Sequence, residues 1–183
     1  MRVDALLSDT RRRRARALGA LATGLLAGCS WAAQPGSVAD DALRGPISPP
    51  DRARTTRVVR VVDGDTVVLA RVGASRLIGV DAPEVRGRPE CYAAEASAFA
   101  RRVLARGTPV RYVAGVERRD RYGRRLVYVW LEDGRSVNAM LLEGGYARPL
   151  TIAPNDRYAE RFEALAREAR RRGWGRWATC AGA

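Results

Sequence analysis

The 183-residue chain has no histidine and no lysine, and only three cysteines and two phenylalanines. Without imidazole, general-base work must fall to a carboxylate or to a metal-bound hydroxide. Cys91 and Cys180, the two thiols of the folded part, do not make a zinc site without nitrogen partners. No internal repeat is visible. With lysine absent, all 33 basic side chains are arginine, set against 20 acidic ones, for a formal charge of +13 and a pI near 11.1. Planar guanidinium forks suit bidentate contact with phosphate, so an anionic partner is implied. A length of 183 residues with 46% apolar side chains fits one domain with tails.

The N-terminus has the features of a targeting segment. A cationic run, Arg11 to Arg14, precedes a dozen mostly apolar residues, Ala17 to Gly28, too few to span a bilayer but suited to a signal-peptide core. "LAGC", Leu26 to Cys29, resembles a bacterial lipobox, in which Cys29 becomes the lipidated first residue; an ordinary signal peptide with a chance cysteine is the alternative. Removing residues 1–28 takes away six arginines and two aspartates, a net +4, and leaves +9 of the +13 on the mature chain. Residues 29–54 hold Pro35, Pro46, Pro49 and Pro50 with little apolar periodicity and read as a solvated tether. The expected organisation is a leader over 1–28, a tether over 29–54, a folded domain over 55–180 and a tail over 181–183.

From residue 55 the apolar pattern becomes regular. Strands are expected near 56–62, 66–72, 75–80, 109–117 and 125–131, all rich in Val, Ile, Leu, Tyr and Trp. Three helices are expected. One lies within "ECYAAEASAFARRVLARG", where Tyr92, Ala96, Phe99 and Val103 recur at helical spacing and Gly107 is a fitting stop; a short one covers "SVNAMLLEGG". The third, "DRYAERFEALAREARRRG", lines up Tyr158, Phe162, Leu165 and Ala169. The fold class is therefore α+β, a five-stranded OB-type β-barrel with three α-helices.

The stretch "VVDGDTVV" sets Asp63 and Asp65 around a glycine between two apolar runs. An Asp-Gly pair there is a common hairpin turn, and it could also supply half of a metal site. Asp65 and Asp81, from separate strand ends, could together hold one hard cation with a backbone carbonyl and water. Glu84, three residues past Asp81, would sit near that cation without ligating it, which is a base's position.

Five segments, "VDGDTVVL", "RLIGVDAPE", "EASAFA", "DRYGRRLVYVW" and "DGRSVNAMLLEGGYA", resemble the thermonuclease or staphylococcal-nuclease-like family in order and spacing, over nearly all of residues 55–180. The resemblance implies that Asp65, Asp81 and the carbonyl of Ala82 bind Ca2+, with Asp63 and Thr66 around them. It implies that Glu84 activates water, that Arg76 and Arg124 grip the scissile phosphate, and that Tyr122 and Arg121 contact the substrate. A divalent cation with two guanidinium forks can stabilise the charge that accumulates when water attacks a phosphodiester. The chain departs from the family at Ala82, where a threonine is usual, at Arg121, where a lysine is, and in a shorter loop after Glu84. A tyrosine that helps hold the nucleotide aligns with Leu150.

The function implied is a calcium-dependent endonuclease on DNA and RNA, favouring single-stranded or frayed substrate and leaving 3′-phosphate ends. A catalytically silent OB-type nucleic-acid binder is the alternative; the five residues Asp65, Asp81, Glu84, Arg76 and Arg124 together favour the enzyme. In an exported protein Cys91 and Cys180 are expected to pair. The chain is expected to be a monomer, exported, and either secreted or held to a membrane through a lipid on Cys29.

Overall fold

The computed structural model describes residues 45–180. The leader, Cys29 and the tether up to residue 44 lie outside the described residues, as does the tail over 181–183. Five strands close a barrel in the order β1 (Arg54–Val61), β2 (Thr66–Leu69), β3 (Gly73–Leu77), β6 (Arg125–Leu131) and β5 (Pro109–Arg119). All contacts are antiparallel except β3 against β6, which run parallel. Alternating β-branched side chains direct Val58, Val67, Leu69, Val110, Val127 and Val129 into the interior, each almost wholly buried.

The third expected strand, 75–80, is two strands. β3 ends at Leu77, and β4 (Gly79–Asp81) leaves the barrel to pair with β7 (Arg148–Leu150) in a separate two-stranded sheet. Gly79 makes the break possible: it has φ +79°, and a Cβ there would come within 2.4 Å of the Phe162 ring. Asn138 braces the same point, its buried amide donating to the carbonyl of Ile78 at 2.8 Å while its oxygen accepts from Val129 N at 2.9 Å. The second strand also stops earlier than expected, because Arg71 at φ 62° turns the chain toward β3.

Four helices are present among the described residues, where the sequence pattern gives three. α1 (Ala93–Val103) buries Ala93, Ala96, Ser97 and Ala100, and α2 (Val137–Glu143) starts at Ser136, whose hydroxyl accepts from Ala139 N at 3.3 Å. α3 (Ala159–Arg171) buries Phe162, Ala166 and Ala169 and packs on α2 and β7, with Arg167, Arg170 and Arg171 exposed. The fourth, α4 (Arg176–Thr179), is a single turn, too short to show apolar periodicity. Cys91 and Cys180 form a disulfide with Cα atoms 5.9 Å apart, joining the residue after α4 to the segment before α1. Residues 45–54, which read as the end of a solvated tether, lie against the barrel: Ile47 packs on the core, and Trp130 Nε1 donates to its carbonyl at 2.7 Å.

Candidate active site

Residues of β3 to β7 and of the loops adjoining them line a cavity of about 740 Å3. The "DGD" stretch turns β1 into β2, with Val62 N donating to Thr66 O at 2.8 Å, and Gly64 lets this turn approach Ala82 so closely that a Cβ would fall 2.5 Å from that of Ala82. Asp65 is thereby carried into the protein, 4% exposed, where its Oδ2 accepts from Ala82 N at 3.1 Å and its Oδ1 from the Thr66 hydroxyl at 3.0 Å. The turn is also part of the site.

Arg76 lies in β3 opposite Thr66, and its guanidinium bridges two carboxylates, Nη1 to Asp65 at 2.9 Å and Nη2 to Asp81 at 3.0 Å. Burial pushes the Asp65 carboxyl up to about 6, opposed by Arg76, the Ala82 amide and Thr66, with Asp63 adding to the rise. Asp81 is about half exposed at the end of β4, across from Arg148 on β7.

The parallel pairing of β3 with β6 sets Arg76 beside Leu126 and Ser75 beside Arg125, so that Arg124, the residue before β6, lines the same cavity as Arg76. Asp120 holds Arg124 in place. Its Oδ1 accepts from the backbone amides of Tyr122 and Arg124, each at 2.9 Å, and its Oδ2 from Arg124 Nε at 2.6 Å. Burial alone would raise the Asp120 carboxyl, but these bonds and the guanidinium charge hold it below the usual carboxylate range. Arg124 Nη1 also reaches the Thr66 hydroxyl at 3.3 Å. Tyr122 is largely exposed, with the guanidinium of Arg121 4.9 Å from its ring centroid and that of Arg124 5.4 Å.

Glu84 lines the same cavity from the loop between β4 and α1. Leu150 and Ile152 line its far wall, with Tyr122 also on the cavity. The residues expected from the sequence, Arg76, Asp81, Glu84, Arg121, Tyr122 and Arg124, therefore share one cleft, with Asp65 and Ala82 beneath Arg76.

A family model described as "Staphylococcal nuclease homologue" matches residues 74–179, more than half of the chain. The Thermonuclease of Staphylococcus hyicus is 38% identical over 125 residues, covering 64% of this chain and 72% of the relative. The Thermonuclease of Staphylococcus intermedius is 36% identical over 132 residues, covering 69% and 77%. This chain belongs to the staphylococcal nuclease homologue family. Endonuclease YhcR of Bacillus subtilis is 36% identical over 134 residues, but they make up only 11% of that protein, so the family domain there is one part of a larger chain.

Within this member of the family, two hard-oxygen carboxylates, Asp65 and Asp81, meet on one cationic group, the Arg76 guanidinium, and the donor set fits an oxygen-seeking cation such as Ca2+. Among the described residues no three His, Cys, Asp or Glu side chains converge as a metal cluster, so further ligands would be backbone carbonyls, such as that of Ala82, and water. The contact seen for Ala82 is through its amide. Asp120, which the sequence supplies in the same motif as Tyr122 and Arg124, serves as an Asx-turn residue that aligns both. Sequence reasoning missed Glu90, whose carboxylate accepts from Glu84 N at 3.3 Å and whose own amide donates to Glu84 O at 2.9 Å.

Proposed function

We propose that this chain is a calcium-dependent endonuclease acting on DNA and RNA, with a preference for single-stranded or frayed regions, that leaves 3′-phosphate ends. Its membership of the nuclease family makes it a phosphodiester hydrolase, and nucleic acid its substrate class. The observation that supports this reading is the meeting on a single cleft of the forked Arg76 and Arg124 with Asp81 and Glu84, and of Arg76 with the buried Asp65.

In this reading Asp65, Asp81 and the carbonyl of Ala82 hold the ion, which when bound supplies positive charge beside the non-bridging phosphate oxygens. Glu84 takes a proton from the attacking water as the bond to phosphorus forms. The bond from phosphorus to the 5′ oxygen breaks, and that oxygen takes a proton from solvent as it leaves, so the phosphate stays on the 3′ side. Arg124, pre-aligned by Asp120, offers its remaining N–H donors to the developing charge. Arg76 spends two donors on Asp65 and Asp81 and retains others of its five for phosphate. Tyr122 and Arg121 present a ring face and a charge to a base and its backbone.

We further propose that the protein is exported and anchored through a lipid on Cys29, with residues 29–44 as spacer. The cationic run before Ala17–Gly28 and the "LAGC" sequence support this.

Turnover of a single-stranded DNA by site variants tests the assignment. Glu84→Gln and Arg124→Ala should each lower kcat by about a hundredfold while the fold is kept, and Arg102→Ala, on the exposed face of α1, should leave it unchanged. Equal losses in all three would overturn the assignment.

A further inference from the structure

Glu84 is exposed and belongs to no helix or strand, an unusual setting for a group that must meet a water molecule in one geometry. Two connections in the structure restrain it. Glu84 N donates to Glu90 Oε2 and Glu90 N donates to Glu84 O, so residues 84–90 are closed into a ring by a reciprocal pair of bonds, at 3.3 and 2.9 Å. The residue after Glu90 is Cys91, joined covalently to Cys180.

We infer that Glu90 is a positioning residue for Glu84, closing the loop between them and itself anchored by the neighbouring Cys91–Cys180 crosslink. The inference rests on the reading of Glu84 as the base. It explains why an exposed loop carboxylate can act as one. A free loop of seven residues would let Glu84 sample many positions, and a displacement of about 1 Å at a reacting group costs up to about a hundredfold in rate. The hydrogen bonds fix its backbone from both sides, and the crosslink prevents Glu90 from drifting with the loop. Glu90 itself is exposed and packs no core, so its replacement leaves the fold standing.

Steady-state kinetics on single-stranded DNA in Ca2+ would compare the wild type with Glu90→Ala, Glu90→Gln, Glu84→Gln and the double variant Glu84→Gln with Glu90→Ala. Glu90→Ala should lower kcat about tenfold or more with KM little changed. Glu90→Gln, which keeps a side-chain oxygen to accept from Glu84 N, should recover most of the loss. Adding Glu90→Ala to Glu84→Gln should cost nothing further, because the positioned group is already gone. Hydrogen exchange followed by NMR supplies a readout separate from activity: the Glu84 amide should exchange faster in Glu90→Ala and at the wild-type rate in Glu90→Gln. Wild-type kcat in Glu90→Ala beside a disabled Glu84→Gln would overturn the positioning role alone, as would independent, multiplicative losses in the double variant. Wild-type kcat in Glu84→Gln would overturn the base assignment itself.

Discussion

Arg76 donates to Asp65 at 2.9 Å across the β2–β3 pairing, and the same guanidinium reaches Asp81 at 3.0 Å, so a positive group stands where two carboxylates from separate strand ends meet. Since Asp65 is buried with Asp63 nearby, added positive charge there favours the folded state. Ca2+ should therefore stabilise the protein, by about 2.7 kcal/mol at a hundred times its Kd. Asp81→Asn keeps an oxygen for Arg76 but loses the charge, and should remove the increase. Thermal unfolding in Ca2+ and in chelator checks this; a wild-type Tm indifferent to Ca2+ contradicts it.

Leu150 reaches the cleft through β7, whose register sets it opposite Gly79, and it lines the cavity together with Ile152 and Tyr122. An isobutyl group offers no stacking face. Leu150→Tyr should lower KM for single-stranded DNA about tenfold with kcat little changed, as one added base stack contributes about 1–3 kcal/mol. An unchanged KM would mean that no base rests on this wall.

Tyr128 is buried, and its hydroxyl donates to Asn155 O at 3.2 Å. Burial, then Tyr158 and Asp156, push its phenol up to about 12, against some relief from Arg157. The folded state thus favours the neutral phenol. That contribution is whole below the unfolded value near 10 and is lost as pH rises through about 12, about 2 kcal/mol in all. Urea unfolding at pH 8 and pH 11.5 should show the stability advantage of wild type over Tyr128→Phe shrinking at the higher pH. A constant difference would contradict it.

The disulfide closes 89 residues of sequence separation. Cys91→Ser should lower stability by up to about 4.5 kcal/mol in the chain-entropy account. Reduction should bring the wild type down to the variant and leave the variant where it was, as urea unfolding with and without reductant would show. Coincident curves under oxidising conditions would contradict a stabilising bond.

The barrel was legible because most of its strands are rich in Val, Thr, Leu and aromatic residues, and β6 was located to the residue over 125–131. β7 was not legible: three residues, one of them proline, carry no alternation. Nor was the split between β3 and β4, since it depends on Gly79 lying under Phe162, 83 positions away in the chain. In the site, Asp65 and Asp81 could be named from separate strand ends and Glu84 from its spacing after Asp81, whereas Arg76 and Arg124 were named through the resemblance to the nuclease family. That Arg76 and Arg124 line one cavity depends on the parallel β3–β6 pairing, which no local pattern encodes. Glu90 was hidden because its role exists only once the loop has closed.

Cleavage by the purified protein of a single-stranded DNA and of an RNA, each in Ca2+, in Mg2+ and in excess chelator, tests the proposed reaction most directly. The account predicts hydrolysis of both in Ca2+ with 3′-phosphate ends, much less in Mg2+, which sheds its waters reluctantly, and none in chelator. Full activity in chelator would contradict the two-carboxylate metal site, and no cleavage in Ca2+ would leave a nucleic-acid binder in place of the enzyme.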